Sequence, residues 1–326
     1  MTKHQPNPTP DGRIEFHDLQ PKVESLRDAV IAGLSADPRA IHCKFFYDQR
    51  GAQLFEEICT LDEYYPTRTE IGILEKNAQE IADIAGPDCH LIEFGSGASV
   101  KVRTLLNAME EPRSYVPIDI SREALLSAAE GVAREYEEVP VVAVCADYTE
   151  PLSLPELEPG PRLGFFPGST IGNFTPEESV DFLSTAATAL DGGALLIGVD
   201  LKKDEDTLNA AYNDARGVTA EFNRNLLHRI NRELGSDFDP NGFQHSAIYR
   251  HDKGCIETHL VCEKPQSVDV CGQNFSFEAG DKIHTENSHK YSVPEFRALA
   301  EESGFRSRAV WTDPNDMFSI HYLDAA

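Results

Sequence analysis

Basic charge is scarce in this chain. Its 326 residues carry 29 Lys and Arg against 55 Asp and Glu, a formal charge of −26. A surface of that sign repels phosphates, so nucleic acid and anionic membranes are not expected partners. Long apolar runs are missing as well. No stretch approaches the roughly 18 residues that cross a bilayer as a helix. The first residues, Met-Thr-Lys-His-Gln-Pro-Asn-Pro-Thr-Pro, lack the apolar segment of a secretory signal. Residues 1–15 are expected to be a disordered tail on a cytoplasmic protein. The cysteines at 43, 59, 89, 145, 255, 262 and 271 form no C-x-x-C pair. Odd in number and scattered, they read as the reduced thiols of a cytosol. The histidines at 245, 251, 259, 284 and 289 have neither H-x-x-x-H spacing nor cysteine partners at zinc spacing. No metal is expected. Repeats and low-complexity blocks are absent too.

What is present is organised around residues 90–101, His-Leu-Ile-Glu-Phe-Gly-Ser-Gly-Ala-Ser-Val-Lys. Leu91, Ile92 and Phe94 form a short apolar run of the kind a buried parallel strand needs. Gly95, Ser96 and Gly97 follow, and an amphipathic stretch with Val102, Leu105 and Leu106 starts near Ser99. Strand, glycine turn and helix start make the first βα unit of a Rossmann-like sheet. A second strand, Tyr115 to Ser121, places Asp119 about 20 residues beyond the glycines, where such folds hold a ribose diol. A third, Val141–Tyr148, ends in Asp147 and Tyr148, an acceptor for an adenine amine and a ring to pack on it. The third glycine of a dinucleotide fingerprint is replaced by Ala98-Ser99, and no pyrophosphate clamp is evident. A nicotinamide oxidoreductase is thereby disfavoured. A compact adenosyl ligand without phosphates fits, and S-adenosylmethionine is the obvious one.

Strands at 90–94, 115–120, 141–147, 162–168 and 192–200 alternate with helices such as 176–190, which predicts an α/β doubly wound domain. A capped helix at 292–304 and strands around 307–312 and 318–323 complete a seven-stranded sheet. Ahead of the sheet, apolar residues at 23, 26, 30 and 34 predict a helix over 21–35, ended by Gly33 and Pro38. Thr67 or Thr69 is a candidate cap for the helix after Pro66. Residues 203–289 are surplus to the sheet, with a helix over 204–234 and strands near 243–249 and 255–262. The expected division is a substrate-binding α+β domain of 16–67 plus 203–289 and a methyltransferase domain of 68–202 plus 290–326.

The chain resembles one family across nearly its whole length. The motifs are Phe46-Tyr-Asp-x-Arg-Gly51, Glu63-Tyr-Tyr-Pro-Thr-Arg68, Glu93-Phe-Gly-Ser-Gly97, Gly168-Ser-Thr-Ile-Gly-Asn-Phe174, Gly217-Val-Thr-Ala-x-Phe-Asn223 and Thr285-Glu286-x-Ser288. In this order they are similar to the L-histidine Nα-methyltransferases of ergothioneine biosynthesis. The resemblance implies a Rossmann-like class I methyltransferase that uses S-adenosylmethionine to methylate the α-amine of histidine three times, giving hercynine. It matches Tyr64, Gly95, Lys101, Asp119, Asp147 and Tyr148 to cofactor-binding positions. It matches Tyr47, Asn173, Tyr212, Thr219, Glu286 and Ser288 to positions around the amino acid, with Tyr47 and Asn173 as the catalytic pair. Chemically, Asn173 can bond the carboxylate or amine and Tyr212 can donate to the carboxylate, while Glu286 and Ser288 can serve the two imidazole nitrogens. Thr258 stands where the family usually carries a methionine lining the side-chain pocket. That departure leaves an alternative, a relative acting on another amino acid such as a tryptophan derivative. A small-molecule substrate and a monomer are expected.

Overall fold

The structure, a computed structural model, describes residues 7–8, 13–22, 24–96 and 100–326. Two short strands come first, β1 (Asn7–Pro8) and β2 (Ile14–Asp18), then helices α1 (Leu26–Ser35), α2 (Gln49–Ile58) and α3 (Pro66–Ala85). Strand and helix then alternate through β3 (His90–Phe94), α4 (Val100–Ala108), β4 (Ser114–Asp119), α5 (Arg122–Glu135), β5 (Val141–Cys145), β6 (Arg162–Phe166), α6 (Pro176–Leu190) and β7 (Ala194–Asp200). Two helices, α7 (Glu205–Tyr212) and α8 (Val218–Leu234), lead into β8 (Phe243–Arg250), β9 (Cys255–Cys262), β10 (Gln266–Val270), β11 (Gln273–Phe277) and β12 (Lys282–His289). The chain returns through α9 (Val293–Glu302), β13 (Phe305–Thr312) and β14 (Phe318–Ala325). These elements sort into two compact units, one of residues 1–23, 69–201 and 291–326, the other of 24–68 and 202–290.

The first unit is built on one sheet in the order β1-β2-β5-β4-β3-β6-β7-β14-β13. The strands from β2 to β7 are parallel, and β14 lies antiparallel between β7 and β13. This is the class I methyltransferase fold, its seven expected strands running from β5 to the β13 edge and β1 and β2 added beside β5. Successive residues of a buried strand face opposite layers. Leu91 clusters with Leu74, Ile81, Val102, Leu105 and Leu125 of the helices on one side. Its neighbour Ile92 clusters with Phe182, Leu183 and Phe296 on the other.

Two strands exceed expectation. The sequence predicts a tail over 1–15 and places 16 onward in the substrate-binding domain, yet Ile14–Asp18 pairs in parallel with Val141–Cys145. Ile14 and Phe16 are buried there, each 4% exposed. A five-residue alternation is too short to register as a period, but it satisfies the open backbone edge of β5. The remaining tail residues, 1–6 and 9–12, lie outside the described residues.

Helix ends differ from the sequence reading for local reasons. Val23 lies outside the described residues, and α1 starts at Leu26 because the Ser25 hydroxyl caps the Asp28 N–H at 3.0 Å. Gly33 lies inside that helix, where a Cβ would sit 1.9 Å from the Ala40 carbonyl oxygen. Pro66 itself opens α3, so neither threonine is its cap, and Thr67 Oγ1 donates to Cys59 Sγ instead. The helix expected over 204–234 is two. Gly217, at φ +75°, turns the chain, and the Asp214 carboxylate accepts from Val218 and Thr219 N–H at 2.9 and 2.8 Å to start α8.

The second unit packs α1, α2 and α8 on an antiparallel sheet β12-β9-β8 and a β10-β11 hairpin. Its core includes Leu34, Phe46, Leu54, Leu226, Leu227, Phe243, Leu260 and Ile283. No helix among the described residues is long and apolar enough to cross a membrane. All seven cysteines are free thiols.

Candidate active site

In the first unit the site grows from the end of β3. Gly95 takes φ +79°, a left-handed conformation that glycine adopts without strain. The Gly95 and Ser96 N–H groups both donate to the Ile118 carbonyl, at 2.9 and 3.2 Å, which ties the turn to β4. Ser96 Oγ is buried there without a partner. Gly97, Ala98 and Ser99 lie outside the described residues.

The two acidic strand ends lie to one side of this turn, on β4 and then on β5 in sheet order. Asp119 ends β4 and accepts the Ser121 N–H at 2.8 Å. Burial pushes its carboxyl up to about 6, against the pull of the Ser121 and Ile120 N–H groups. Asp147 follows β5 and accepts from Thr149, N–H and hydroxyl, through a single oxygen. Tyr148 packs against Phe94, Phe166 and Phe182, with ring centroids 5.8–6.5 Å away. A Cβ on Gly95 would lie 3.5 Å from the Tyr148 ring, so turn and ring are neighbours. An orphaned hydroxyl, a desolvated carboxyl that hydroxyl donors would relieve, and a ring beside a bare backbone suit an adenosyl group.

Lys101, on α4, reaches Glu70, a residue the motifs do not mark. Glu70 is fully buried on α3, and Lys101 Nζ donates to its carboxylate. The same carboxylate accepts the Gly168 N–H through both oxygens, at 2.9 and 3.0 Å. Gly168 at φ +82° and Ser169 at φ +54° start the loop that carries Asn173. Glu70 thus fixes both Lys101 and the root of the Asn173 loop. Its signal in the sequence is a carboxylate sharing a helical stripe with Leu74 and Ile81. Asn173 ends the 3₁₀ turn Thr170–Asn173 and is partly exposed. Beside it, Phe174 stacks on Phe166 with centroids 6.3 Å apart.

The other candidates belong to the second unit. Tyr47 is 47% exposed and stands edge-on to Phe55 and Phe222. The first motif explains its placement. Asp48 caps α2 by accepting the Gly51 N–H at 2.7 Å and also binds Asn225 and Arg232. Gly51 is obligatory, because a Cβ there would sit 1.8 Å from the Phe46 oxygen. Tyr64, assigned to the cofactor by resemblance, lies edge-on to Tyr212 at 6.3 Å, among the amino-acid candidates. Arg68 clamps its loop by donating to the carbonyls of Leu61, Asp62 and Tyr64 at 2.7–3.1 Å.

Glu286 and Ser288 alternate on β12, so their side chains share one face. Thr258 on β9 is the cross-strand partner of Glu286. It is buried, and its hydroxyl has no partner. Part of the Glu286 surface meets solvent, yet burial lifts its carboxyl to about 7, with Lys290 pulling the other way. Ser288 Oγ lies 2.7 Å from Tyr212 Oη. Lys290 Nζ donates to both oxygens, at 2.8 Å each. The sequence expectation assigns Tyr212 to the substrate carboxylate, whereas its hydroxyl is engaged by Ser288 and Lys290. Lys290 is not among the sequence candidates, although 286, 288 and 290 continue one alternation. Thr219 lies at the start of α8, its N–H on Asp214.

Comparison with known proteins identifies the family. The model of the histidine-specific, S-adenosylmethionine-dependent methyltransferase family matches residues 26–325. The chain is 44% identical over 305 residues to a histidine N-alpha-methyltransferase of Mycolicibacterium smegmatis, covering 91% of this chain and 94% of that one. It is 40% identical over 303 residues to the enzyme of the same name in Mycobacterium tuberculosis, with the same coverage. A Neurospora crassa protein, ergothioneine biosynthesis protein 1, is 31% identical over 307 residues, 88% of this chain and 33% of that longer one. This chain therefore belongs to the histidine-specific, S-adenosylmethionine-dependent methyltransferase family.

Proposed function

We propose that this enzyme methylates the α-amine of L-histidine three times, giving hercynine for ergothioneine biosynthesis. The observation that carries the reading is the polar face of β12 in a chain of this family. There a carboxylate, Glu286, and a hydroxyl, Ser288, stand two residues apart, the complement of an imidazole with one N–H and one bare nitrogen. When bound, S-adenosylmethionine supplies a methyl group on a positively charged sulfur. Ser96, Asp119, Asp147 and Tyr148 are the residues to hold its adenosyl part, and Lys101, fixed by Glu70, is the cation to meet its carboxylate.

The attacking amine must be uncharged. An α-amine has a pKa near 8, so at neutral pH most of it is protonated. A neutral hydrogen-bonding partner at the amine favours the free base more than a carboxylate partner would, and Tyr47 and Asn173 are the candidates that the resemblance gives for that role. Thr258 supports histidine over a tryptophan derivative, because a buried hydroxyl without a partner is better matched by a polar ring than by an indole. The same reading makes the enzyme a cytoplasmic monomer with residues 24–68 and 202–290 as its amino-acid-binding part. Mass spectrometry of histidine incubated with the enzyme and S-adenosylmethionine tests the proposal. Trimethylated histidine is the expected end point. Accumulation of the monomethyl product at long times would contradict it.

A further inference from the structure

Strand β8 forms one edge of the β12-β9-β8 sheet, and side chains hold the end of α7 against it. An edge strand presents N–H and C=O groups that need partners. Asn209 Oδ1 accepts the Tyr249 N–H at 2.9 Å, and Asn213 Nδ2 donates to the Ala247 carbonyl at 2.9 Å. Between these asparagines stands Tyr212, an amino-acid candidate. Its carbonyl oxygen lies 2.8 Å from Nε2 of His245, on β8. The other ring nitrogen, Nδ1, lies 3.0 Å from Asn223 Nδ2, and that amide nitrogen is 3.1 Å from the His259 carbonyl on β9. Asn223 is buried on α8, four residues beyond Thr219 and on the same face of the helix. His245 thus joins the end of α7, the Thr219 face of α8 and two strands.

These contacts fix where the protons are. A carbonyl oxygen only accepts. Facing one, Nε2 of His245 must carry a proton. For the same reason the Asn223 atom that faces the His259 carbonyl must be the amide nitrogen, and its second N–H points to His245. Nδ1 is therefore bare. Both ends of the ring demand one neutral tautomer. Burial agrees, holding the His245 pKa below the usual histidine value; Arg224 pushes the same way, while the Tyr212 carbonyl and Asp214 pull against it. A second ring proton would set Nδ1–H against an Asn223 N–H. We propose that His245 is a positioning residue: with its one proton on Nε2 it holds the Tyr212 backbone in place against α8, and so sets how tightly the amino-acid substrate is bound. Both ring nitrogens are engaged, so it acts through Tyr212. No sequence motif contains it. The inference rests on the amino-acid-binding role of Tyr212 in the function proposed above.

The test uses the full-length enzyme. In the wild type, nitrogen-15 NMR of labelled histidine rings should find His245 neutral at neutral pH with its proton on Nε2, the signal being assigned by its loss in His245→Gln. A proton on Nδ1 overturns the inference. Steady-state kinetics with S-adenosylmethionine and histidine give the functional readout. His245→Phe keeps a ring and removes the donor. KM for histidine should rise about tenfold, the loss of one hydrogen bond, with the affinity for S-adenosylhomocysteine unchanged. Glutamine carries an amide N–H out to the Nε2 position, so His245→Gln should recover most of that loss. His245→Asn, whose amide ends at the Nδ1 position, should not. In a Tyr212→Phe background, His245→Phe should add almost nothing. A histidine that serves only the stability of the fold would lower the thermal midpoint in all three variants and leave KM alone, and that result overturns the inference. Should His245→Phe fail to fold, equal KM values for the Gln and Asn variants overturn it. Wild-type enzyme that leaves histidine unmethylated overturns the proposed function, whereas wild type that methylates it while His245→Phe keeps its KM overturns this inference alone.

Discussion

Replacing Gly198 by alanine would drive a methyl group into the Glu70 carboxylate. The added Cβ would lie 2.1 Å from Glu70 Oε1, 3.0 Å from Cδ and 3.1 Å from Phe318 Cε1. Glu70 is 0% exposed, so it has no solvent to retreat into. Moving it breaks the bonds to Gly168 N–H at 2.9 and 3.0 Å and the pair with Lys101. A hydrogen bond to a charged group contributes about 1.5–3 kcal/mol. Separating a buried carboxylate from its cation costs about 3–5 kcal/mol. The two overlap, so Gly198→Ala should lower the unfolding free energy by about 3–5 kcal/mol in a denaturant titration. The control is a double-mutant cycle. With Glu70→Ala in place the methyl has room, and Gly198→Ala should then cost less than about 1 kcal/mol. Strict additivity, within about 0.5 kcal/mol, would refute the reasoning, as would a near-neutral single substitution. Both single variants should also weaken S-adenosylhomocysteine binding, because Lys101 loses its anchor.

Other consequences are as specific. Asp119→Ala should weaken S-adenosylhomocysteine by about 1.5–3 kcal/mol in calorimetry, and NAD should not bind the wild type. Ionised Asp119 is the form that accepts two hydroxyls, and its carboxyl sits at about 6 in the free protein. Affinity should therefore fall as pH drops through 6, with a proton released on binding near that pH, and affinity flat from pH 5 to 8 would contradict this. Glu286→Ala should cut kcat/KM for histidine at least about tenfold and relax the preference toward phenylalanine, since a buried polar group can discriminate by about 10⁴–10⁵. Thr258→Met should alter that preference much less, and steady-state kinetics that leave Glu286→Ala as selective as wild type would make Glu286 a structural carboxylate. Glu93 is buried under the Tyr115 hydroxyl, with its carboxyl raised from 4.5 to about 7. A raised carboxyl favours the folded state at low pH and loses that contribution as pH climbs through 7. Glu93→Gln should accordingly raise the thermal midpoint at pH 8.5, with the gain fading toward pH 5.

The sheet is legible in the sequence because its strands are buried on both faces and read as unbroken apolar runs. His90–Phe94 matches its predicted bounds for that reason. The short contacts that decide edges are not legible. Ile14–Asp18 is too short to show a period, and β12 is so polar that Lys282–His289 does not look like a strand. Motif glycines are visible, but their causes are not. Gly51 is required by the Phe46 carbonyl, and Gly198, which no motif marks, by the Glu70 carboxylate, contacts that depend on register and packing. Among site residues, resemblance or strand-end position marks Glu286, Ser288 and Asp119. Glu70 and Lys290 escape such signals because each acts through neighbours far along the chain, Gly168 and Lys101 for one, Tyr212 for the other.

Methyl transfer to each of the twenty amino acids, measured separately with labelled S-adenosylmethionine, is the most direct test of the central claim. Label should enter histidine and continue to the trimethylated product, while phenylalanine, leucine and tryptophan stay at background. Label entering tryptophan or phenylalanine in preference to histidine would contradict the imidazole-binding roles of Glu286 and Ser288.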